Sequence, residues 1–205
     1  MRLADIEAAC VRANVPIGDV NWTYGVDGGR DTHLPATKKA DVIMMGLNPG
    51  AGNGVAKGEM SKSERSWRTR CEKLTGRSGD QIVFAELIHE STLNERELSA
   101  KYGGDLRPVF TKAAEINLAV IAFHRPNIIY QMGINAPISD LYGLSPAGET
   151  VMRPLHPNEP LLRPFKMEDG AAWLSIRHLS AFGFSIKDRD EIRAYAARIS
   201  GGGAA

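Results

Sequence analysis

Asp41-Val42-Ile43-Met44-Met45-Gly46-Leu47-Asn48-Pro49-Gly50 is the stretch from which the chain is best read. Four consecutive large apolar residues are too few for a helix but suit a strand buried on both faces. Gly46 to Gly50 then supplies the residues that end a strand in a turn. The run continues as Ala51-Gly52-Asn53-Gly54, so four glycines and one proline fall within nine residues. Such a loop exposes backbone N–H groups and permits left-handed conformations, which suits close approach to an anion or a ring. It is not a Walker loop, because no Gly-Lys-Ser/Thr follows, and its glycine spacing differs from the dinucleotide fingerprint. On its residues alone it reads equally as a tight turn in which Asn48 bonds its own backbone.

Outward from this point the pattern alternates. Leu3, Ile6, Cys10 and Ala13 recur at helical spacing, predicting a peripheral helix over residues 3–14 that Asn14 and Pro16 close. Residues 25–35 read as a loop. Ser61 and Glu64 form a capping box for a helix over residues 62–75, with Trp67, Cys71 and Leu74 on one face and Gly76 as its stop. Lys62, Arg65, Arg68, Arg70, Lys73 and Arg77, against Glu64 and Glu72, make this helix locally basic. Residues 81–85 predict a second buried strand. Pro108 opens a helix whose Phe110, Ala114, Leu118 and Ile121 face the core.

A third strand is expected over residues 127–132, then a short helical stretch, a turn at Ser145-Pro146-Ala147-Gly148 and a hairpin arm over residues 149–152. The Pro-rich segment 154–164 reads as a loop, residues 172–176 as a fourth strand. A last helix, capped by Asp188 with Glu191, carries Ile192, Tyr195 and Ile199 on one face. Strands alternating with helices at this spacing predict an α/β fold with a mainly parallel sheet covered on both faces. Ligands of such sheets lie beyond the carboxyl ends of the strands.

Composition sets the outer limits. In 205 residues, 43% are hydrophobic and 24% charged, which is ordinary for one globular domain, and the formal net charge of +1 gives no global pull toward nucleic acid. No window approaches the roughly 18 apolar residues of a membrane span. The first residues, with Asp5 and Glu7, do not read as a secretory signal, so a cytoplasmic protein is expected. Cys10 and Cys71 have no metal-ligand spacing and read as buried free thiols.

The loop after the fourth strand reads Arg177-His178-Leu179-Ser180-Ala181-Phe182-Gly183-Phe184-Ser185. It places one histidine and two large apolar rings where the ligand rule looks for function. Gly46-Leu47-Asn48-Pro49-Gly50 resembles the first motif of the mismatch-specific and single-strand-selective branches of the uracil-DNA glycosylase superfamily. His178-Leu179-Ser180 resembles the His-Pro-Ser motif opening the DNA-intercalating loop of that family. The resemblance spans about residues 40–200, leaving residues 1–39 as an N-terminal helix and loop of the same domain. It implies a three-layer αβα sandwich around a four-stranded, mainly parallel sheet.

It also implies a chemistry. Hydrolysis of an N-glycosidic bond passes through an oxocarbenium-like sugar and an anionic base. By resemblance, Asn48 orients the attacking water and His178 hydrogen-bonds the charge growing on the base. Gly46, Leu47, Pro49, Gly50 and Glu86 line the substrate, Phe182 fills the stack when the nucleotide is flipped out, and Ser180 with the backbone of residues 50–54 contacts phosphate. The implied partner is DNA carrying a damaged base; the protein is expected to act as a monomer, without metal or cofactor. The alternatives are a non-catalytic nucleic-acid binder on this fold and a hydrolase of a free nucleoside or nucleotide.

Three features depart from the family pattern. Leu179 stands where the motif has proline. No aromatic residue lies between Leu47 and Ser66 to stack on a base, leaving Trp22 or Tyr24 as substitutes. Glu86 stands where several branches carry an asparagine that pairs with uracil. An ionised carboxylate only accepts hydrogen bonds, whereas uracil offers both an acceptor and a donor. His156-Pro157-Asn158 reads as a second polar contact or a solvated turn, and His33, His124 and Arg125 receive no chemistry.

Overall fold

The strand predicted from Val42 is β2 (Val42–Gly46), buried at every position, and two parallel neighbours enclose it. These are β3 (Ile82–Glu86) and β4 (Ile128–Met132), and β8 (Ala172–Ile176) lies parallel beyond β4. The computed structural model describes residues 3–17, 20, 22–24, 38–47, 62–89, 95–134, 138–179, 181 and 183–201, without the side chains of 22–24, 63, 64, 80 and 95. Asn48, Pro49, Gly50, the rest of the glycine loop, Ser61, His33, Ser180 and Phe182 therefore lie outside the described residues.

The α/β class is as expected, but the sheet is wider and more mixed than four strands. β1 (Trp22–Tyr24) adds antiparallel to β3, and β7 (His156–Lys166) adds antiparallel to β8. β5 (Ser145–Pro146) and β6 (Val151–Arg153) pair with β7 in turn. The order is β1-β3-β2-β4-β8-β7-β5. Segment 154–164 is thus mostly strand, not loop. Its prolines pair opposite Met152 and Leu174, and Pro164 still offers its carbonyl to the Ala147 N–H at 3.1 Å. Proline removes only a donor, so a strand near the sheet margin, with an irregular register against β6, accommodates it.

Helices cover both faces. On one, α1 (Leu3–Ala13) and α4 (Arg107–His124) pack with Ile43, Met45, Val83, Ala85, Ile129 and Trp173. On the other, α2 (Lys62–Thr75) and α5 (Ile186–Gly201) pack with Met44, Phe84, Tyr130, Leu174 and Ile176. The alternation of these sets along each strand is the period-two rule of a pleated sheet covered on both sides. α1 is not peripheral: Ile6, Ala9, Cys10 and Ala13 are buried against the core that α4 shares. Packed against both α1 and the sheet, α4 buries more than one stripe, and Leu118, expected inside, is exposed instead.

Cys10 and Cys71 are buried free thiols. α3 (Glu95–Lys101) carries too little apolar periodicity for the sequence to reveal it. The helical stretch expected after Gly133 is a set of turns over residues 138–144. The cap of α5 belongs to Ser185: the Asp188 N–H bonds its hydroxyl at 3.1 Å, and Asp188 accepts the Ser185 N–H at 2.8 Å. Asp188 is therefore the third-position partner of a capping box. Ile199 is exposed while Ile192 is buried, so the apolar face of α5 ends before its last turn.

Candidate functional site

All four parallel strands end at one edge of the sheet, which brings Gly46, Glu86, Met132 and Ile176 into line. Beyond β2 and β3 the chains stay zipped together: Leu87 N–H bonds Gly46 O, and Ile88 N–H bonds Leu47 O, each at 2.9 Å. Leu47 is half-buried against the first core cluster, so it anchors the start of the glycine loop. Gly46 has a steric reason to be glycine. A Cβ there would lie 2.9 Å from Glu86 Cδ and closer still to its carboxylate oxygen.

Glu86 is 7% exposed and lies on the strand face that α2 covers, two positions after Phe84. Its carboxylate adds to the burial that pushes the Cys71 thiol well above its ordinary range. The Glu86 carbonyl accepts from Asn117 Nδ2 at 2.8 Å, and the same amide reaches the Tyr142 hydroxyl at 2.9 Å. A buried amide from α4 thus fixes the end of β3.

The ends of β4 and β8 are fixed likewise. Gln131 Oε1 accepts from Trp173 Nε1 and Ser175 Oγ, both at 3.0 Å, while its amide nitrogen donates to Gly133 O at 2.8 Å. Gly133, at φ +104°, returns its own N–H to Ile176 O at 2.9 Å.

The loop after β8 is held at both ends. Arg177 N–H bonds Leu161 O at 2.9 Å, and its guanidinium pairs with Glu159 at 3.0 Å. Leu179 is buried in the second core cluster, and its carbonyl accepts from Arg70 Nη1 at 3.1 Å. Leucine at this motif position therefore fixes the turn by burial where proline fixes it by its ring. At the far end Arg153 donates to Gly183 O and bonds Asp188 at 2.8 and 3.2 Å and Glu159 at 2.7 Å. Burial pushes the Asp188 carboxyl up, but Arg153 and Ser185 outweigh it and hold the group below its usual range.

His178 follows this anchored strand end. It is exposed, yet enough protein surrounds the ring that desolvation, and then the Arg70 guanidinium, lower its pKa below the ordinary histidine value. A neutral imidazole has one donor and one acceptor, which is what hydrogen bonding to a base carbonyl needs.

Sequence reasoning missed two residues here, His89 and Arg68. His89 follows the zipped segment, is 8% exposed, and has no hydrogen-bond partner at either ring nitrogen. Burial lowers its pKa to about 4, so it is neutral at physiological pH. Arg68, which the sequence shows only as one of the charges that make α2 basic, is fully buried with its guanidinium 4.4 Å from the Phe84 ring centre. Trp67 meets the same ring edge-on at 5.0 Å, adding an aromatic to the layer that holds Glu86. Burial of an arginine inside a charged run, or of a histidine just past a strand end, is invisible to composition.

His156 and Asn158 are exposed at the start of β7, which runs antiparallel to β8 with Leu162 opposite Ile176, so they lie on the carboxyl side of the sheet beyond Glu159, the partner of Arg177. Trp22 and Tyr24 pair with Ala85 and Val83 through the backbone. Two open clefts lie near the amino end of the sheet; one, of about 660 Å³, is lined by Arg125, Asn127, Asp169 and Ala171. Among the described residues no helix is long and apolar enough to cross a membrane, and no group of His, Cys, Asp and Glu is suited to a metal ion. Comparison with protein-family models and with curated proteins finds no match.

Proposed function

We propose that this protein is a uracil-DNA-glycosylase-like hydrolase that cleaves the N-glycosidic bond of a damaged or mismatched base in DNA. One observation carries the reading. The segments bearing Gly46-Leu47 and His178-Leu179 leave the same edge of the parallel part of the sheet, separated only by β4. Two strand spacings amount to about 10 Å, a gap that a nucleotide held between the two loops can bridge.

In this reading water adds to C1′, the C1′–N bond breaks with its electron pair passing to the base nitrogen, and the water's proton ends on the base. Asn48 orients the water. It has no useful basicity, so its part is positional. His178, kept neutral, hydrogen-bonds the base carbonyl as negative charge grows there. Arg70 and Arg177 flank His178 and suit phosphate, and the basic start of α2 adds a local attraction that a net charge of +1 does not supply globally.

The test is incubation with single- and double-stranded DNA carrying uracil, hypoxanthine or mismatched thymine, scoring alkali-labile sites. Strand breaks at the modified position on at least one substrate are expected. An intact backbone on every substrate at protein excess would overturn the proposal.

A further inference from the structure

Gly46 leaves room for the Glu86 side chain at the very turn that the proposed reading assigns to the substrate. The residue is 7% exposed with its carboxylate against Gly46, and its backbone is held by Asn117 at 2.8 Å, so the group sits at a fixed strand end. Three positions on, within about 10 Å by chain length, His89 is buried with neither ring nitrogen bonded. The two hydrogen bonds from Leu87 and Ile88 hold the chain between them alongside Gly46 and Leu47. An acceptor-only group and an unpartnered imidazole thus flank the first motif.

Buried polar groups are almost always partnered, and an imidazole without partners at a strand end is where a ligand's polar edge is recognised. A carboxylate takes two adjacent N–H donors in parallel. Uracil presents one donor between two carbonyls, which leaves one carboxylate oxygen facing an acceptor. Guanine presents N1–H and the 2-amino group side by side, with the O6 acceptor next to them, which suits a carboxylate plus one imidazole N–H.

We infer that Glu86 and His89 form a base-edge reader for a guanine-type purine, Glu86 accepting from N1–H and the 2-amino group and His89 donating to O6. The inference rests on the glycosylase reading for its context in DNA. The bond cleaved is then C1′–N9: water oxygen bonds C1′, the electron pair goes to N9, and the proton follows it there. For a base already cationic through N7 alkylation, the pair neutralises the ring and the proton passes to solvent. Burial keeps His89 neutral, consistent with a donor that adds no charge.

Binding and excision are measured separately on the full chain. Single strands, otherwise all adenine, carry one guanine, hypoxanthine or uracil on a 2′-fluoroarabino sugar that resists hydrolysis. The wild-type protein should bind guanine at least tenfold more tightly than uracil, with hypoxanthine, which lacks the 2-amino group, between them. Glu86→Gln offers one donor and one acceptor, and should shift the guanine-to-uracil ratio at least tenfold toward uracil; His89→Gln should weaken guanine severalfold. Equal affinity for the three bases, preference for uracil, no binding to any, or a ratio unmoved in a folded Glu86→Gln protein would overturn the inference. The wild-type ratio decides the matter even where a variant fails to fold. Excision from natural deoxyribose carrying 7-methylguanine is followed in parallel: its absence with the binding ratio intact counts against the glycosylase reading and supports the edge reader.

Discussion

The two ends of the sheet are built from the same strands and differ in what they leave for chemistry. At the amino end, backbone bonds close the edge: Asn127 N–H meets Asp41 O at 2.9 Å and Ala172 N–H meets Asn127 O at 3.2 Å. His124 there packs edge-on against Phe123, with Lys39 close enough to influence it. At and just beyond the carboxyl end of the strands lie Glu86, His89 and His178, side chains whose polarity backbone pairing does not consume. Both ends hold a buried neutral histidine with a pKa of about 4. Of these two, only the one at the carboxyl end has both ring nitrogens without a partner.

Breaking this contrast has its largest expected effect at the carboxyl end. His178→Ala should reduce single-turnover excision by about 10²–10³-fold, the usual loss for one donor to a developing anion. Substrate affinity should change little, and a large loss of affinity with unchanged turnover would remove the role given to His178.

Next is the brace behind that loop. Arg153→Ala leaves Asp188 buried without its guanidinium and should destabilise the fold by about 3 kcal/mol, at the lower end for a buried pair because Glu159 sits on the solvent side. Urea unfolding measures this, and a shift below about 1 kcal/mol would show that the pair is not structural.

The two buried histidines give a pH test with a defined sign. Their folded pKa values of about 4 lie below the ordinary 6.5, so the unfolded chain takes up protons first as pH falls. The histidine contribution should be level above about pH 6.5, decline toward pH 4 and level off below, where protonation of the depressed Asp188 carboxyl continues the loss of stability. His89 contributes up to about 3 kcal/mol of that decline by the pKa-to-energy relation, His124 less. The His89→Gln protein should show a flatter profile of urea midpoint against pH, and an unchanged profile would refute the burial argument.

Gly46→Ala should cost about 1–3 kcal/mol through overpacking against Glu86. In a Glu86→Ala background the same change should be nearly silent, and additivity would show that the two do not touch. The smallest effect belongs to the surface: removing the exposed Arg12–Glu115 pair should change stability by less than about 1 kcal/mol.

How far the sequence reveals this molecule follows from the range of its forces. β2 was legible because four apolar residues before a glycine have one economical conformation, and α1, α2 and α4 because their apolar spacing or terminal residues are local. β7 was not, since its prolines spell loop and only its pairing with β8 and β6 makes it strand. The capping box of α5 was read one turn late because Asp188 and Ser185 are both good caps and the choice depends on Arg153, thirty-five positions from Asp188. At the site, Gly46, Leu47, Glu86 and His178 do share one edge, as their positions at strand ends imply. His89 and Arg68 escaped because nothing local distinguishes a buried charged or titratable side chain from a solvated one.

Excision rates of three single variants compared side by side decide whether the carboxyl edge is where chemistry occurs: Asn48→Ala in the first motif, His178→Ala at that edge, and Asp169→Asn in the amino-end cleft. The expected result is loss of at least a hundredfold in the first two, with Asp169→Asn within twofold of the parent protein. Loss in Asp169→Asn with the other two unaffected would contradict the assignment and move the site to the opposite end of the sheet.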